Sequence, residues 1–417
     1  MPLPWRGGAL AAIALVAAAR AQDKPLNLQD LVNEALRENP EILAAQKHYE
    51  AARQKPRQES SLPDPTLSAG YFSNGNPLPG ADLGKEPTSN IGVSFTQNFP
   101  SPGKLRLRGD ISAKDADAEM EQYRAVQRSI ALRLTEAYYR YHHTFSAMEV
   151  LDRNHALLQT LLRTVEARYG VGKANQQEAF RTQTQLTILE TQRVQLENDR
   201  RTRQAELNSI LNRPLDTELG VPPDHAPHDM VHSLEDLETS ARYTAPELRR
   251  NQKLLERSQL ALNLAHKDSY PDYALTGGYY NMGGLPPGFQ FRADVKLPLQ
   301  FSRRRAEIAE QAQKIAEARH DYTAASTSIN YRIEEAYLAA QTAYKLAVLY
   351  RETAIPQAHL TLQASLTEYQ NGAADFTSVF MNHIAVLEFE MGYHEQMLTL
   401  DLAVSQLEAL TGLTLEH

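Results

Sequence analysis

Between Pro102 and Pro214 the chain contains no proline, and Ile130, Leu134, Ala137, Tyr141, Phe145, Met148, Leu151, Leu158, Leu162 and Val165 recur at intervals of three, four or seven. That spacing puts them on one side of an α-helix. It predicts a single helix over 103–169, about 100 Å long at ~1.5 Å per residue. A second stretch, 302–370, repeats the pattern, with Ile329, Ile333, Ala336, Ala340, Ala343, Ala347 and Tyr350 in alternating steps of four and three. Pro356 should kink this copy. Each long helix stops at glycine, Gly170 to Gly172 in one copy and Asn371-Gly372 in the other, and a further helical segment follows, 176–212 or 374–411. Two antiparallel hairpins are expected, with tips at 170–175 and 370–375.

Ahead of each long helix the period changes to two. Ile91-Gly92-Val93-Ser94-Phe95-Thr96-Gln97-Asn98-Phe99 and Phe289-Gln290-Phe291-Arg292-Ala293-Asp294-Val295-Lys296-Leu297 alternate apolar with small or polar residues, as strands with one greasy and one wet face do. With 66–74 and 273–281 they make two hairpins, expected as strands 66–74, 91–99, 273–281 and 289–297. Ser94, Thr96, Gln290, Arg292, Asp294 and Lys296 fall on the wet side. Four strands of this length suit a tilted membrane span, yet the smallest bacterial barrel has about 8. Since lipid does not tolerate open sheet edges, the pattern demands association: two chains would give eight strands and three would give twelve.

The two copies form a duplication. Asn39-Pro40-Glu41-Ile42 answers Ala245-Pro246-Glu247-Leu248, Pro63-Asp64 to Phe72 answers Pro271-Asp272 to Tyr280 without a gap, and Tyr169 and Gly172 answer Tyr369 and Gly372. The order is kept throughout, so one unit occurs twice. The expected organisation is a leader at 1–21, a first repeat at 22–214, a linker at 215–235, a second repeat at 236–413 and a tail at 414–417.

Composition narrows the class. With 42% hydrophobic residues, 23% charged and net charge −8, no apolar run beyond the first 21 positions approaches a membrane helix, and the acidic balance argues against a nucleic-acid partner. Arg6, the apolar stretch Ala9 to Ala19 and the small residues around Ala21 read as a secretory signal. Losing Arg6 and Arg20 with it takes the charge from −8 to −10. The chain has no cysteine, which excludes disulfides, thiolate metal sites and a lipid anchor on cysteine.

Candidate chemistry is sparse. The linker run Asp224-His225-Ala226-Pro227-His228-Asp229-Met230-Val231-His232 offers His225, His228 and His232 as weak metal ligands. His142 and His143 are adjacent helix positions that point about 100° apart and do not readily chelate one ion. His394-Glu395 has Leu398, not a second histidine, four residues on; Gly170-Val171-Gly172-Lys173 lacks the rest of a phosphate loop; and no Gly-x-Ser-x-Gly occurs. No enzyme and no cofactor are expected. Lys104, Arg106, Arg108 and Arg303-Arg304-Arg305, just after the second strand of each hairpin, read as headgroup-level anchors.

The duplicated strand-strand-long-helix-helix unit, the twin Pro-Asp strand starts, Pro102-Gly103-Lys104 opening the first long helix and the tip Arg168-Tyr169-Gly170-Val171-Gly172 resemble outer-membrane efflux proteins of the TolC type, and more loosely the CzcC-like heavy-metal branch. The resemblance covers nearly all of the chain after the leader. It implies a mainly α-helical fold with a transmembrane β-barrel portion: a homotrimer whose twelve-stranded barrel sits in outer-membrane lipid and whose helices form a periplasmic tunnel. It also implies a periplasmic adaptor and an inner-membrane pump as partners, with Tyr169, Gly170, Val171, Gly172, Lys173, Tyr369, Asn371 and Gly372 at the adaptor-facing tips, and the wet strand residues facing the pore. The function implied is a passive exit duct for small molecules or metal ions. The competing reading is a periplasmic coiled-coil scaffold or adaptor without a membrane barrel.

Overall fold

The computed structural model describes residues 26–229 and 231–415. The expected leader lies outside them. The described residues form two compact units, one from 26–44, 124–245 and 327–415, the other from 45–123 and 246–326. The elements in chain order are α1 (Leu28–Glu38), α2 (Pro40–Ala52), α3 (Lys55–Glu59), β1 (Thr66–Phe72), β2 (Asn90–Phe99), α4 (Lys104–Gly170), α5 (Gln176–Ile210), α6 (Leu234–Thr244), α7 (Pro246–Lys267), β3 (Asp272–Asn281), β4 (Gly288–Lys296), α8 (Phe301–Leu349), a π-helical turn (Tyr350–Ala354), α9 (Ile355–Asn371) and α10 (Phe376–Thr411). Among the described residues no helix is long and apolar enough to cross a membrane.

Both copies carry short helices ahead of their strands that the hydrophobic period did not draw. Their signals are local. Asn27 and Ser233 cap α1 and α6 with their side chains, and Pro40 and Pro246 open α2 and α7, where the missing N–H costs nothing. The expected helix 302–370 is interrupted at the π turn, which ends two residues before Pro356. A proline deprives the preceding turn of one hydrogen bond, and a wider turn absorbs the mismatch.

In the helical unit α4, α5, α9 and α10 share a core of Val150, Leu151, Leu158, Leu161, Val165, Leu189, Leu362, Tyr369, Phe376, Val379 and Phe380. Leu161, rather than the expected Leu162, is the buried neighbour of Leu158. The column Ile329, Ile333, Ala336, Ala340, Ala343 and Ala347 on α8 is wholly buried, and its alanines let Leu400, Ala403 and Val404 of α10 approach closely. Each returning helix is closed by a polar side chain from the start of its own repeat. Asn39 donates to Ile210 O at 2.8 Å, and Ser240 donates to Thr411 O at 3.0 Å.

The second unit is built on a four-stranded antiparallel sheet of order β1-β2-β3-β4, so the hairpins of the two repeats join through β2 and β3. The register puts Leu67, Tyr71, Ile91, Val93, Phe95, Tyr273, Leu275, Tyr279, Phe289, Phe291 and Val295 on one face, and all but Tyr71 are exposed. The opposite face carries Ser68, Ser94, Thr96, Thr276, Gln290, Arg292, Asp294 and Lys296. It is laced by side-chain bonds: Thr96 Oγ1 to Thr276 Oγ1 at 2.9 Å, Tyr280 Oη donating to Gln290 Oε1 at 2.6 Å, and Arg292 Nε donating to Asp294 Oδ2 at 2.9 Å. Tyr280 lies so flat on this face that a Cβ on Gly92 would sit 2.1 Å from its ring. Gly92→Val therefore has to eject Tyr280 and break its bond to Gln290, an overpacking cost of ~1–3 kcal/mol. A lowered melting point of the purified protein checks it, with Gly70→Val, which meets nothing within 4 Å, as the neutral control.

Lys104 is not a headgroup anchor. Its side chain is 3% exposed, and Nζ reaches Asp272 Oδ1 at 2.8 Å, Tyr270 O at 3.1 Å and Asp268 at 3.3 Å. Burying an ammonium group is costly unless acceptors surround it, and the cluster ties the start of α4 to the start of β3. Arg106 and Arg108 remain exposed.

Candidate functional site

The helical unit holds two polar constellations. The first is the paired tip. The first turn, 170–175, closes with Gly172 at φ 71°, with Gly172 N donating to Tyr169 O at 2.9 Å and Lys173 N to Arg168 O at 2.8 Å; the second closes with Gly372 at φ 80°. Arg168 links the turns. Its guanidinium donates to the carbonyl of Tyr369, to Gln370 O at 3.3 Å and to Lys173 O at 3.3 Å, and it lies 4.4 Å from the centre of the Tyr369 ring. The Tyr369 hydroxyl donates to Glu178 Oε2 at 2.5 Å, while Glu178 Oε1 accepts from Asn175 N at the start of α5. Burial, and then the Glu178 carboxylate, hold the Tyr369 phenol above its ordinary value of 10, so the hydroxyl keeps the proton it donates.

The duplicated tyrosines have diverged. Tyr169 is 50% exposed and Tyr369 only 2%. Of the expected tip residues, Tyr169, Gly170, Val171, Gly172, Lys173, Asn371 and Gly372 are exposed, whereas Tyr369 is withdrawn among Arg168, Phe376 and Glu178. The sequence offered no signal for this, because two of the partners that bury Tyr369, Arg168 and Glu178, lie 201 and 191 positions away. Beside Val171 a groove of about 620 Å³ is rimmed by Arg163, Arg168 and Lys173.

The second constellation is a cleft of about 300 Å³ lined by His142, His143, His225, His394, Asp224 and Asp401, with Tyr139 and Tyr393. It fastens the linker to two helices. His142 Nε2 lies 3.2 Å from Asp224 Oδ1, and His225 Nε2 lies 2.9 Å from Asp401 Oδ1 on α10. The three linker histidines are not brought together. His225 turns to Asp401, His228 has its Nε2 buried without a hydrogen bond, and His232 sits just before the cap of α6. Among the described residues no set of three His, Asp or Glu side chains is arranged to hold a metal ion. His142 and His143 do border one cleft, together with His394, which periodicity alone could not indicate.

Burial lowers the basicity of His142 and His143 and pushes His394 down to about 4, the last assisted by the neighbouring His143 and Arg153. A histidine whose folded pKa is depressed stabilises the fold above its unfolded value near 6.5 and loses that contribution as pH falls towards the folded value. Each unit of displacement is worth about 1.4 kcal/mol. Between pH 7 and 5 the cleft should loosen, read as hydrogen exchange in 139–146 and 393–401 that accelerates beyond the intrinsic pH effect. His394→Leu should flatten that response; an unchanged response in the variant would refute it.

Residues 31–213, which span most of the first repeat, match the family model described as outer membrane efflux protein. No curated protein matches the chain. Among solved structures, the outer-membrane channel OprN superposes with a TM-score of 0.79 at 13% identity, covering 92% of this chain and 89% of the other. The outer membrane protein VceC from Vibrio cholerae gives 0.78 at 16% identity, with 93% and 97% covered. The open-state MtrE outer membrane channel of Neisseria gonorrhoeae gives 0.74 at 17%, with 93% and 89% covered. At such identities the likeness is one of fold.

Proposed function

We propose, for a chain whose residues 31–213 match the outer membrane efflux protein family model, membership of that family and the role of passive exit duct in a tripartite efflux system. The observation that carries this reading is the sheet. It exposes an apolar face including Phe95, Phe289 and Phe291, and among the described residues β1 and β4 are each paired along one edge. Neither feature suits water or lipid unless further strands close the sheet. Three chains would supply twelve strands in the outer membrane, with the helices in the periplasm and no anchor on cysteine. Ser94, Thr96, Gln290, Arg292, Asp294 and Lys296 would then face the lumen.

The tips are the adaptor-facing end in this reading. The exposed Val171 beside a groove rimmed by Arg163, Arg168 and Lys173 suits an adaptor hairpin presenting an apolar residue flanked by acids. The energy for transport comes from an inner-membrane pump, and the chain itself performs no chemistry. Fractionation tests the reading: a heat-modifiable trimer extracted from the outer membrane by detergent supports it, and release as a monomer by osmotic shock overturns it.

Selectivity follows from charge. Without its leader the chain carries −10, and a tube lined by part of that charge favours cations. Arg292 and Asp294 pair with each other, so the strands add little of either sign. Single-channel recordings in asymmetric salt should give a reversal potential of cation-selective sign; an anion-selective sign would refute it.

A further inference from the structure

Where α4 and α7 meet beside the sheet, a groove of about 490 Å³ is lined by Gly103, Arg106, Asp110, His266, Lys267 and Tyr270, among others. Its charges do not cancel. Asp268 and Asp272 are taken up by Lys104, and Arg106 reaches Asp110 only at 3.7 Å with both side chains well exposed. Among the described residues Lys267 has no carboxylate partner; its Nζ lies 4.9 Å from the centre of the Tyr270 ring. The C-terminal position of Lys267 on α7 would account for one cation there. It does not account for Arg106, which comes from another helix, or for the exposed Tyr270 ring in the same groove.

The position supplies the rest. Gly103 follows the end of β2 by four residues, Tyr270 precedes β3 by two, and Phe99 pairs with Tyr273, so the groove adjoins one end of the sheet. Lys296 of β4 is paired with Asp272 at that same end. Beyond Lys296 come Leu297, Leu299 and Phe301, all exposed, and then the exposed Arg303 and Arg305. Both helical connections leaving this end therefore pass from apolar to basic within a few residues, the sequence of environments met on leaving hydrocarbon for headgroups.

We propose that this groove binds the phosphate of a phospholipid in the leaflet where the sheet gives way to the helices, with Arg106 and Lys267 on the phosphate and Tyr270 against the glycerol end of the acyl chains. A phosphodiester has the single negative charge and acceptor oxygens that two cations from different helices can share. The proposal rests on the sheet spanning the membrane, and the apolar face reaches this same end of the sheet in the exposed Tyr273.

The test uses the full chain, extracted from membranes, exchanged into detergent containing phosphatidylglycerol and counted for bound lipid by native mass spectrometry. Wild type should retain about one lipid per chain. The pair Arg106→Gln and Lys267→Gln should bind about thirtyfold more weakly, at ~1 kcal/mol per cation near the lipid surface. Arg108→Gln, on the same helix but outside the groove, should bind as wild type. Equal retention by wild type and the double variant overturns the proposal. Should the double variant fail to assemble, Lys267→Gln alone gives the same comparison, because that side chain makes no ion pair to lose. A free ion is the other source of the same chemistry: inorganic phosphate without lipid, followed by phosphorus NMR, should broaden no more with wild type than with the variant, and tight wild-type-specific binding would assign the groove to phosphate and overturn the lipid. Recovery of the wild type only from the osmotic-shock fraction would instead overturn the membrane reading itself, before this groove is tested.

Discussion

Arginine in place of Val93 or Phe291 should abolish recovery of the protein from the outer membrane. Val93 sits opposite Ala69 and Tyr279, and Phe291, 89% exposed, sits opposite Gly277, so both lie near the middle of their strands on the apolar face. A lipid-facing arginine near the bilayer midplane costs ~2–4 kcal/mol, and three copies in a trimer bring that to roughly 6–12. That is comparable with the whole stability of many folded domains, about 5–15 kcal/mol. Ser68→Arg on the opposite face, also exposed, should be nearly silent. The measurement is the yield of heat-modifiable trimer in the detergent-extracted outer membrane. The contrast between the faces separates the two environments: on a soluble sheet, arginine at Phe291 would cover exposed apolar surface with a charge and leave yield unchanged or improved. Equal tolerance on both faces would remove the barrel.

The elements with long, regular periods were legible in the sequence. The proline-free stretch before Pro214 becomes α4 over Lys104–Gly170 against an expected 103–169, and the alternation around Phe291 becomes β4 over Gly288–Lys296 against 289–297. Both signals are local and repeat many times. The helices α1, α2, α6 and α7 were visible as a duplication, through Pro40 and Pro246, but not as helices: α1, α2 and α6 are too short to show many apolar repeats, and α7 is rich in charged residues. The polar sites were the least legible. Lys104, Tyr369 and His225 owe their positions to Asp272, Glu178 and Asp401, partners 168, 191 and 176 positions away. Duplication made this harder, since Tyr169 and Tyr369 share a pattern while only one of them found a carboxylate and a buried site.

Removing the Tyr369 side chain should open the tip without disturbing the sheet. Its ring is packed against Phe376, with centroids 6.3 Å apart, and under the Arg168 guanidinium, while its hydroxyl ties α9 to the capping residue of α5. Tyr369→Ala forfeits all three contacts and leaves a cavity, at ~3–5 kcal/mol for an aromatic residue cut to alanine. It also leaves Arg168, whose Nε already lacks a hydrogen bond, without its aromatic floor. Because the lost contacts lie within two turns of the helix ends, where opening is least costly, hydrogen exchange should rise in 165–180 and 362–380 and stay unchanged in the strands. Tyr369→Phe removes only the hydroxyl, about 1 kcal/mol for a hydrogen bond and more if Glu178 stays desolvated. Glu178→Ala removes the acceptor of the same bond, and combining it with Tyr369→Phe should cost less than the sum of the two, since they share that bond. If the tip is the constricted end of the duct, single-channel conductance should rise from wild type through Tyr369→Phe to Tyr369→Ala, with trimer yield constant. A Tyr369→Ala channel of wild-type conductance, with exchange accelerated at the tip, would place the constriction elsewhere and leave the tyrosine a packing residue.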